Sequence, residues 1–218
     1  MRDDRINDVL RAVKRENRKW GTPVVELLNE ETPDPFLVLI SCILSLRTKD
    51  ETTEAASRRL FATVRTPAEL ARLTEKRIEK LIYPVGFYKN KTKQIREIAK
   101  ILVRDHESRV PETIEELTAF KGVGRKTANL VMTTGHGLYG ICVDIHVHRI
   151  ANRWGYVATK TPDETEFALR EKLPRHHWKK INQALVTFGQ NVCKPVSPWC
   201  SRCPLDGDCA RIGVGKTR

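Results

Sequence analysis

The 218-residue chain has no apolar run long enough to cross a membrane. Its longest, around Phe36–Leu46, is broken by Ser41, Cys42 and Ser45 and suits a buried helix. The opening stretch, MRDDRINDVLRAVKRENRKW, is charged throughout and holds no signal-peptide core, so an intracellular protein without membrane association is expected. Sustained alternation of period two is missing, which leaves strands absent or minor. Low-complexity linkers and repeats of solenoid period are also missing. Acid is scarce relative to base: 27 Asp and Glu against 39 Lys and Arg give a formal charge of +12. That balance points to a polyanionic partner, nucleic acid first, with a plain basic solvated surface as the alternative. In a reducing compartment the six cysteines do not read as a disulfide framework.

What the chain does have is helical periodicity. Ile6, Val9, Leu10 and Val13 mark one apolar stripe. Asp34-Pro35 reads as an N-cap followed by proline at the first helical position. Thr66, Thr113 and Thr161 each precede a glutamate by three positions, the pattern of a capping box. Gly155 follows DIHVHRIANRW as a helix stop. The expectation is an all-α protein of about ten helices, folded as one large or two small domains.

Composition shifts at CKPVSPWCSRCPLDGDC. Cys193, Cys200, Cys203 and Cys209 follow the spacing C-x6-C-x2-C-x5-C. Four thiolates in a short loop close around a metal or a cluster. Zinc sites usually come as two close pairs, and only Cys200 and Cys203 form one. The wider gaps suit a cubane iron–sulfur cluster, with zinc, and then disulfides or free thiols, as the alternatives. Cys42 and Cys142 sit in apolar surroundings as core residues. A cluster also raises the possibility of an electron carrier, which the size and basic charge of the chain oppose.

FKGVGRKTANLV, residues 120–131, reads as a helix ending near Phe120, a tight turn, and a second helix from about Arg125. Glycines at 122 and 124 permit positive φ and close backbone approach. Such a turn aims amide N–H groups outward at a helix start, a phosphate-binding arrangement that holds a backbone without reading bases. Taken alone it is equally an ordinary αα-hairpin. Lys126 just inside the helix start is unusual, because the dipole disfavours cations there. Either Lys126 is a solvated accident or, beside Arg125 and partly desolvated, its ammonium is destabilised toward the neutral amine a nucleophile needs.

GVGRKTAN, then VDIHVHRIANR at residues 143–153, then the cysteine spacing, in this order and separation, resemble the helix-hairpin-helix DNA glycosylases of the endonuclease III family. The resemblance covers nearly the whole chain, and LIYPVGFYKNK at 81–91 is similar to the family's eukaryotic members. It implies a six-helix barrel domain over residues 27–139, with the hairpin at about 113–135. It also implies a cluster domain of residues 1–26 plus 140–218, with a 4Fe–4S cluster on the loop 193–209 and a cleft between the domains. Lys126 falls on the family's nucleophilic lysine and Asp144 on its essential aspartate, the two facing each other across that cleft. Asp144 by itself also reads as a simple N-cap. The implied partner is damaged duplex DNA, met as a monomer. The implied activity is bifunctional: oxidised pyrimidines are flipped out, displaced at C1′ by the lysine amine, and the strand is cut by β-elimination.

Gly122, Val123, Gly124, Arg125 and Lys121 become DNA contacts on this reading, Lys121 standing where the family usually has proline. Phe87 falls on an apolar wedge position, with a core phenylalanine as the alternative. Arg47 replaces the glutamine of the familiar bacterial form, where that residue fills the space opposite the orphan base. His146 matches a position near the DNA, whereas His148 reads as a packing or hydrogen-bonding residue. Lys194 is the only basic residue between Cys193 and Cys200. Two competing functions remain: a monofunctional adenine or mismatch glycosylase, whose members lack lysine at position 126, and a non-catalytic DNA-binding protein.

Overall fold

The computed structural model describes residues 1–20 and 34–218. Among them are eleven α-helices and no strand. They are α1 (Ile6–Asn17), α2 (Pro35–Ser45), α3 (Asp50–Phe61), α4 (Pro67–Arg72), α5 (Glu75–Ile82), α6 (Tyr88–Asp105), α7 (Ile114–Ala119), α8 (Arg125–Leu130), α9 (Ile145–Arg153), α10 (Pro162–Lys172) and α11 (Ile181–Asn191). No helix among the described residues is long and apolar enough to cross a membrane. The chain divides into two compact units, Val24–Leu138 and Met1–Pro23 with Tyr139–Arg218. The expected boundary at residues 26 and 27 lies outside the described residues.

The first unit is organised around α2. Asp34 caps it, its carboxylate accepting from the amides of Phe36 and Leu37, and Pro35 fills the first helical position. Every residue from Phe36 to Leu44 is buried, so the run unsuited to a membrane is a core helix instead. It packs against α3, α6 and α8. α4 and α5 lie against α6, whose buried face carries Ile95, Ile98, Ala99 and Leu102. Helix α8 runs on into a π turn over Val131–Gly135, where the Thr133 hydroxyl donates back to the carbonyl of Asn129.

All three threonine caps form, but only one is a complete box. Thr66 accepts from the amide of Glu69 while Glu69 accepts from the amide of Thr66. At Thr113 the glutamate takes the threonine hydroxyl instead, and at Thr161 it takes the amide of Lys160. The carboxylate goes to the nearest available donor, and the sequence pattern alone does not say which that is.

The second unit has its own core, in which α1 packs on α11 and α11 on α9. Ile6, Val9 and Val13, the stripe legible in sequence, meet Val147, Ile150, Trp154, Leu185 and Phe188. Gly155, with φ of 67°, ends α9 as expected. The cysteine segment that follows α11 contains a single short 3-10 turn over Cys200–Arg202.

Candidate active site and nucleic-acid interface

The glycine turn joins α7 to α8. Gly122 has φ of 80°, and a Cβ there would lie 2.5 Å from Nε2 of Gln94. Gln94 donates to the carbonyl of Lys121 at 2.9 Å, so α6 braces the turn from behind. Gly124 differs from the sequence expectation: its φ is −96°, ordinary extended backbone, and a Cβ there would meet nothing within 4 Å. The space left by its missing side chain faces outward. Val123 is buried and anchors the turn between the two. No side chain caps α8, and its first turn carries no acid but Arg125 and Lys126. Lys121, Gly122 and Gly124 are exposed and Arg125 is half-buried.

Lys126 stands exposed in that first turn. Asp50, at the start of α3, lies within the field of Lys126: desolvation raises its carboxyl from the ordinary value, and the Lys126 charge pulls it back. Nothing in the local sequence pattern distinguishes Asp50 from a helix-start acid.

Arg47 and Phe87 occupy neighbouring loops of the same unit. Both adopt left-handed backbone, with φ of 52° and 58°. Phe87 is 60% exposed, which removes the core alternative. The guanidinium carbon of Arg47 lies 5.8 Å from the centroid of its ring. Beneath them is Lys91, which is buried and whose ammonium burial pulls down to about 8.

In the other unit Asp144 is the N-cap of α9. Its carboxylate accepts from the amides of His146 and Val147 at 2.8 and 2.9 Å, and the residue is buried. The His146 ring lies against Gly189 on α11 and 3.1 Å from the guanidinium of Arg149. Arg149 donates onward to the carbonyl of Cys193 at 2.9 Å. His148 hydrogen-bonds Thr165 at 2.7 Å, the packing role read for it in sequence.

None of the six cysteines is disulfide-bonded, and Cys42 and Cys142 are core residues. Cys193, Cys200, Cys203 and Cys209 line one pocket, walled by Trp154, Phe188 and Trp199. No three His, Cys, Asp or Glu side chains among the described residues are arranged to hold a single metal ion. The donors surround a pocket rather than a point, a layout suited to a multi-iron group. Arg153 directs an N–H at the Cys193 sulfur at 3.5 Å and holds the carbonyls of Lys194 and Pro195. The amide of Arg211 points at the Cys209 sulfur at 3.4 Å. Such N–H groups around thiolates are the outer shell expected of a cluster site. Burial pushes the Cys203 thiol up to about 11, and the neighbouring cysteine sulfurs push the same way. A bound cationic group is what would hold these sulfurs as thiolates. Lys194 lies half-buried on this loop.

The model of the HhH-GPD superfamily base excision DNA repair protein matches residues 40–175. Endonuclease III of Thermotoga maritima is 48% identical over 193 residues, which cover 87% of this chain and 91% of that one. Endonuclease III-like protein 1 of Mus musculus is 45% identical over 171 residues, 77% of this chain and 57% of its own length. Among solved structures, a trapped endonuclease III–DNA covalent intermediate superposes with a TM-score of 0.83 at 29% identity, covering 97% of each chain. With these matches spanning the hairpin, the Asp144 cap and most of the helices, the chain belongs to the HhH-GPD superfamily of base excision DNA repair proteins.

Proposed function

We propose that the chain is a bifunctional DNA glycosylase and abasic-site lyase that removes oxidised pyrimidines from duplex DNA and acts as a monomer. The observation that carries this reading is Lys126, exposed in the first turn of an uncapped helix directly after the open backbone at Gly124. Backbone phosphate held at that turn would bring an anion to the helix start. The duplex itself would then exclude the remaining water around the amine.

On this reading the damaged nucleotide leaves the base stack. The neutral Lys126 amine attacks C1′, and the glycosidic bond breaks with its electron pair going to the base, which departs protonated. Ring opening passes a proton to O4′ and leaves an imine between Nζ and C1′. Loss of a proton from C2′ then expels the 3′ phosphate, cutting the strand. Water finally hydrolyses the imine and restores the lysine. Asp144, held by two amides, supplies a fixed carboxylate against the positive charge that develops on the sugar.

Cys193, Cys200, Cys203 and Cys209 are assigned to a 4Fe–4S cluster, which when bound ties the loop 193–209 into one rigid piece. Arg153 and Arg211 orient that loop around it. Lys121, Gly122, Val123, Gly124 and Arg125 are assigned to the DNA backbone, with Lys194 and His146 as outer contacts. Arg47 and Phe87 are assigned to the gap left by the flipped base.

Borohydride trapping on a duplex carrying one oxidised thymine tests the reading. Wild type should give a covalent protein–DNA product that Lys126→Gln does not. Base release without trapping by wild type would make the enzyme monofunctional and overturn the role of Lys126. Failure on both the damaged duplex and a plain abasic duplex would reduce the chain to a DNA-binding protein.

A further inference from the structure

Arg47 and Phe87 hold a backbone conformation that costs free energy in each, and such strain persists only where the surroundings over-determine it. The restraint is visible in the same unit. The Lys91 ammonium donates to the carbonyl of Leu44 at 2.8 Å, to that of Leu46 at 2.5 Å, and to Oγ1 of Thr48 at 3.1 Å. These three acceptors bracket Arg47. Lys91 itself sits in the first turn of α6, its amide bonded to the carbonyl of Phe87 at 3.0 Å. The second tie is the Thr48 hydroxyl, whose oxygen also accepts from the amide of Gly86 at 3.1 Å. The loops approach so closely there that a Cβ on Gly86 would lie 2.6 Å from the carbonyl oxygen of Arg47. One buried ammonium and one hydroxyl thus fix two loops whose tips carry an exposed ring and a guanidinium stacked above it.

We propose that Lys91 is a positioning residue that locks the Arg47 loop to the Phe87 loop, so that guanidinium and ring meet the duplex as one two-pronged unit. This rests on the reading of Arg47 and Phe87 as the residues that enter the gap. An ammonium suits the task because it carries three donors and no acceptor, matching the three oxygens presented to it. A cation also complements the C-terminal end of α2, which explains why the charge is tolerated inside the unit. Phe87 and Arg47 then share one rigid base, and displacing either loop displaces both prongs.

The test compares Lys91→Met, which keeps the buried stem and removes the three donors, with Arg47→Ala and Phe87→Ala. Two reactions are followed: single-turnover excision from a duplex with one oxidised thymine, and borohydride trapping on a single-stranded abasic oligonucleotide, which requires no flipping. Arg47→Ala and Phe87→Ala should slow duplex excision by about tenfold or more and single-strand trapping by far less. Lys91→Met should show the same split, and adding it to Phe87→Ala should slow excision by less than about twofold further, because the two act through one unit. If Phe87→Ala is slow on duplex while Lys91→Met excises at the wild-type rate, the positioning role is wrong. Equal loss by Lys91→Met in both reactions means a general structural role and also overturns it. Wild-type excision by both Arg47→Ala and Phe87→Ala would sink the underlying reading of the prongs and this inference with it. Should Lys91→Met melt below the assay temperature, Thr48→Val cuts the second tie and removes one of the three acceptors of the Lys91 ammonium while keeping the other two. It should give the same duplex-only loss, and a wild-type duplex rate from it beside a slow Phe87→Ala overturns the proposal.

Discussion

Gly122 and Gly124 stand two positions apart and are glycines for different reasons. Gly122 needs left-handed backbone and has Gln94 pressed against it, so Gly122→Ala should destabilise the protein by about 1–2 kcal/mol in urea melts. Gly124 has ordinary backbone and open space, so Gly124→Ala should leave the urea midpoint within about 0.5 kcal/mol of wild type and still weaken duplex binding. A Gly124→Ala protein that bound DNA normally would show that no phosphate comes close there. Sequence offered positive φ and close backbone approach for both glycines and did not divide the two roles, because a lone glycine does not reveal whether its missing side chain makes room inside the protein or outside it. Lys91 was not singled out in sequence, although it shares the helical phase of Ile95, Ile98 and Leu102, the buried face of α6. Its burial has a consequence for pH. The folded state holds the Lys91 proton only to about 8, against an ordinary 10.5 in the unfolded chain. Between those values the unfolded state binds more protons, so stability relative to Lys91→Met should rise with pH through that window. Urea midpoints of both proteins at about pH 7 and about pH 10 check the sign, and a wild-type-minus-variant difference that stays flat or falls contradicts it.

At the scale of elements, the apolar stripes and caps predicted where helices start and which face they bury. Asp34-Pro35 and the Gly155 stop are where expected, because caps act within a few residues. The π turn after α8 was not legible. The Thr133 hydroxyl donates to the carbonyls of Asn129 and Leu130 at its start, a local contact that periodicity does not record. The cysteine loop lacked any periodic signal because its shape comes from arginines elsewhere in the chain. Arg153 on α9 holds its first carbonyls, and Arg149 holds Cys193, contacts between residues some forty positions apart. A loop so built should depend on its cluster. The wild-type protein should carry iron and no zinc, and Cys200→Ser should lose iron and melt several degrees lower. Full iron content with an unchanged melt in Cys200→Ser would remove that cysteine from the site.

For the molecule as a whole, charge was the plainest signal. A surplus of twelve basic residues, 39 against 27, speaks for a polyanion before any motif is found. Binding to undamaged duplex should weaken steeply with salt, by a slope of about −0.9 per phosphate engaged. Lys121→Ala should reduce that slope by about 1 without changing base preference. An unchanged slope would place Lys121 away from the backbone. The all-helical class and the hairpin were readable because helical phase, glycine turns and cysteine spacing are local in sequence. Lys126 was readable as an anomaly, a cation where helices disfavour one, but its exposure was not. Desolvation is the usual way to activate an amine, and on the proposed reading the duplex completes it at Lys126. The measurement that reaches this claim most directly is peptide mapping of the borohydride-reduced adduct formed on an abasic duplex. The account predicts the sugar remnant on Nζ of Lys126. A remnant on any other amine, such as a neighbouring lysine or the amino terminus, would contradict it.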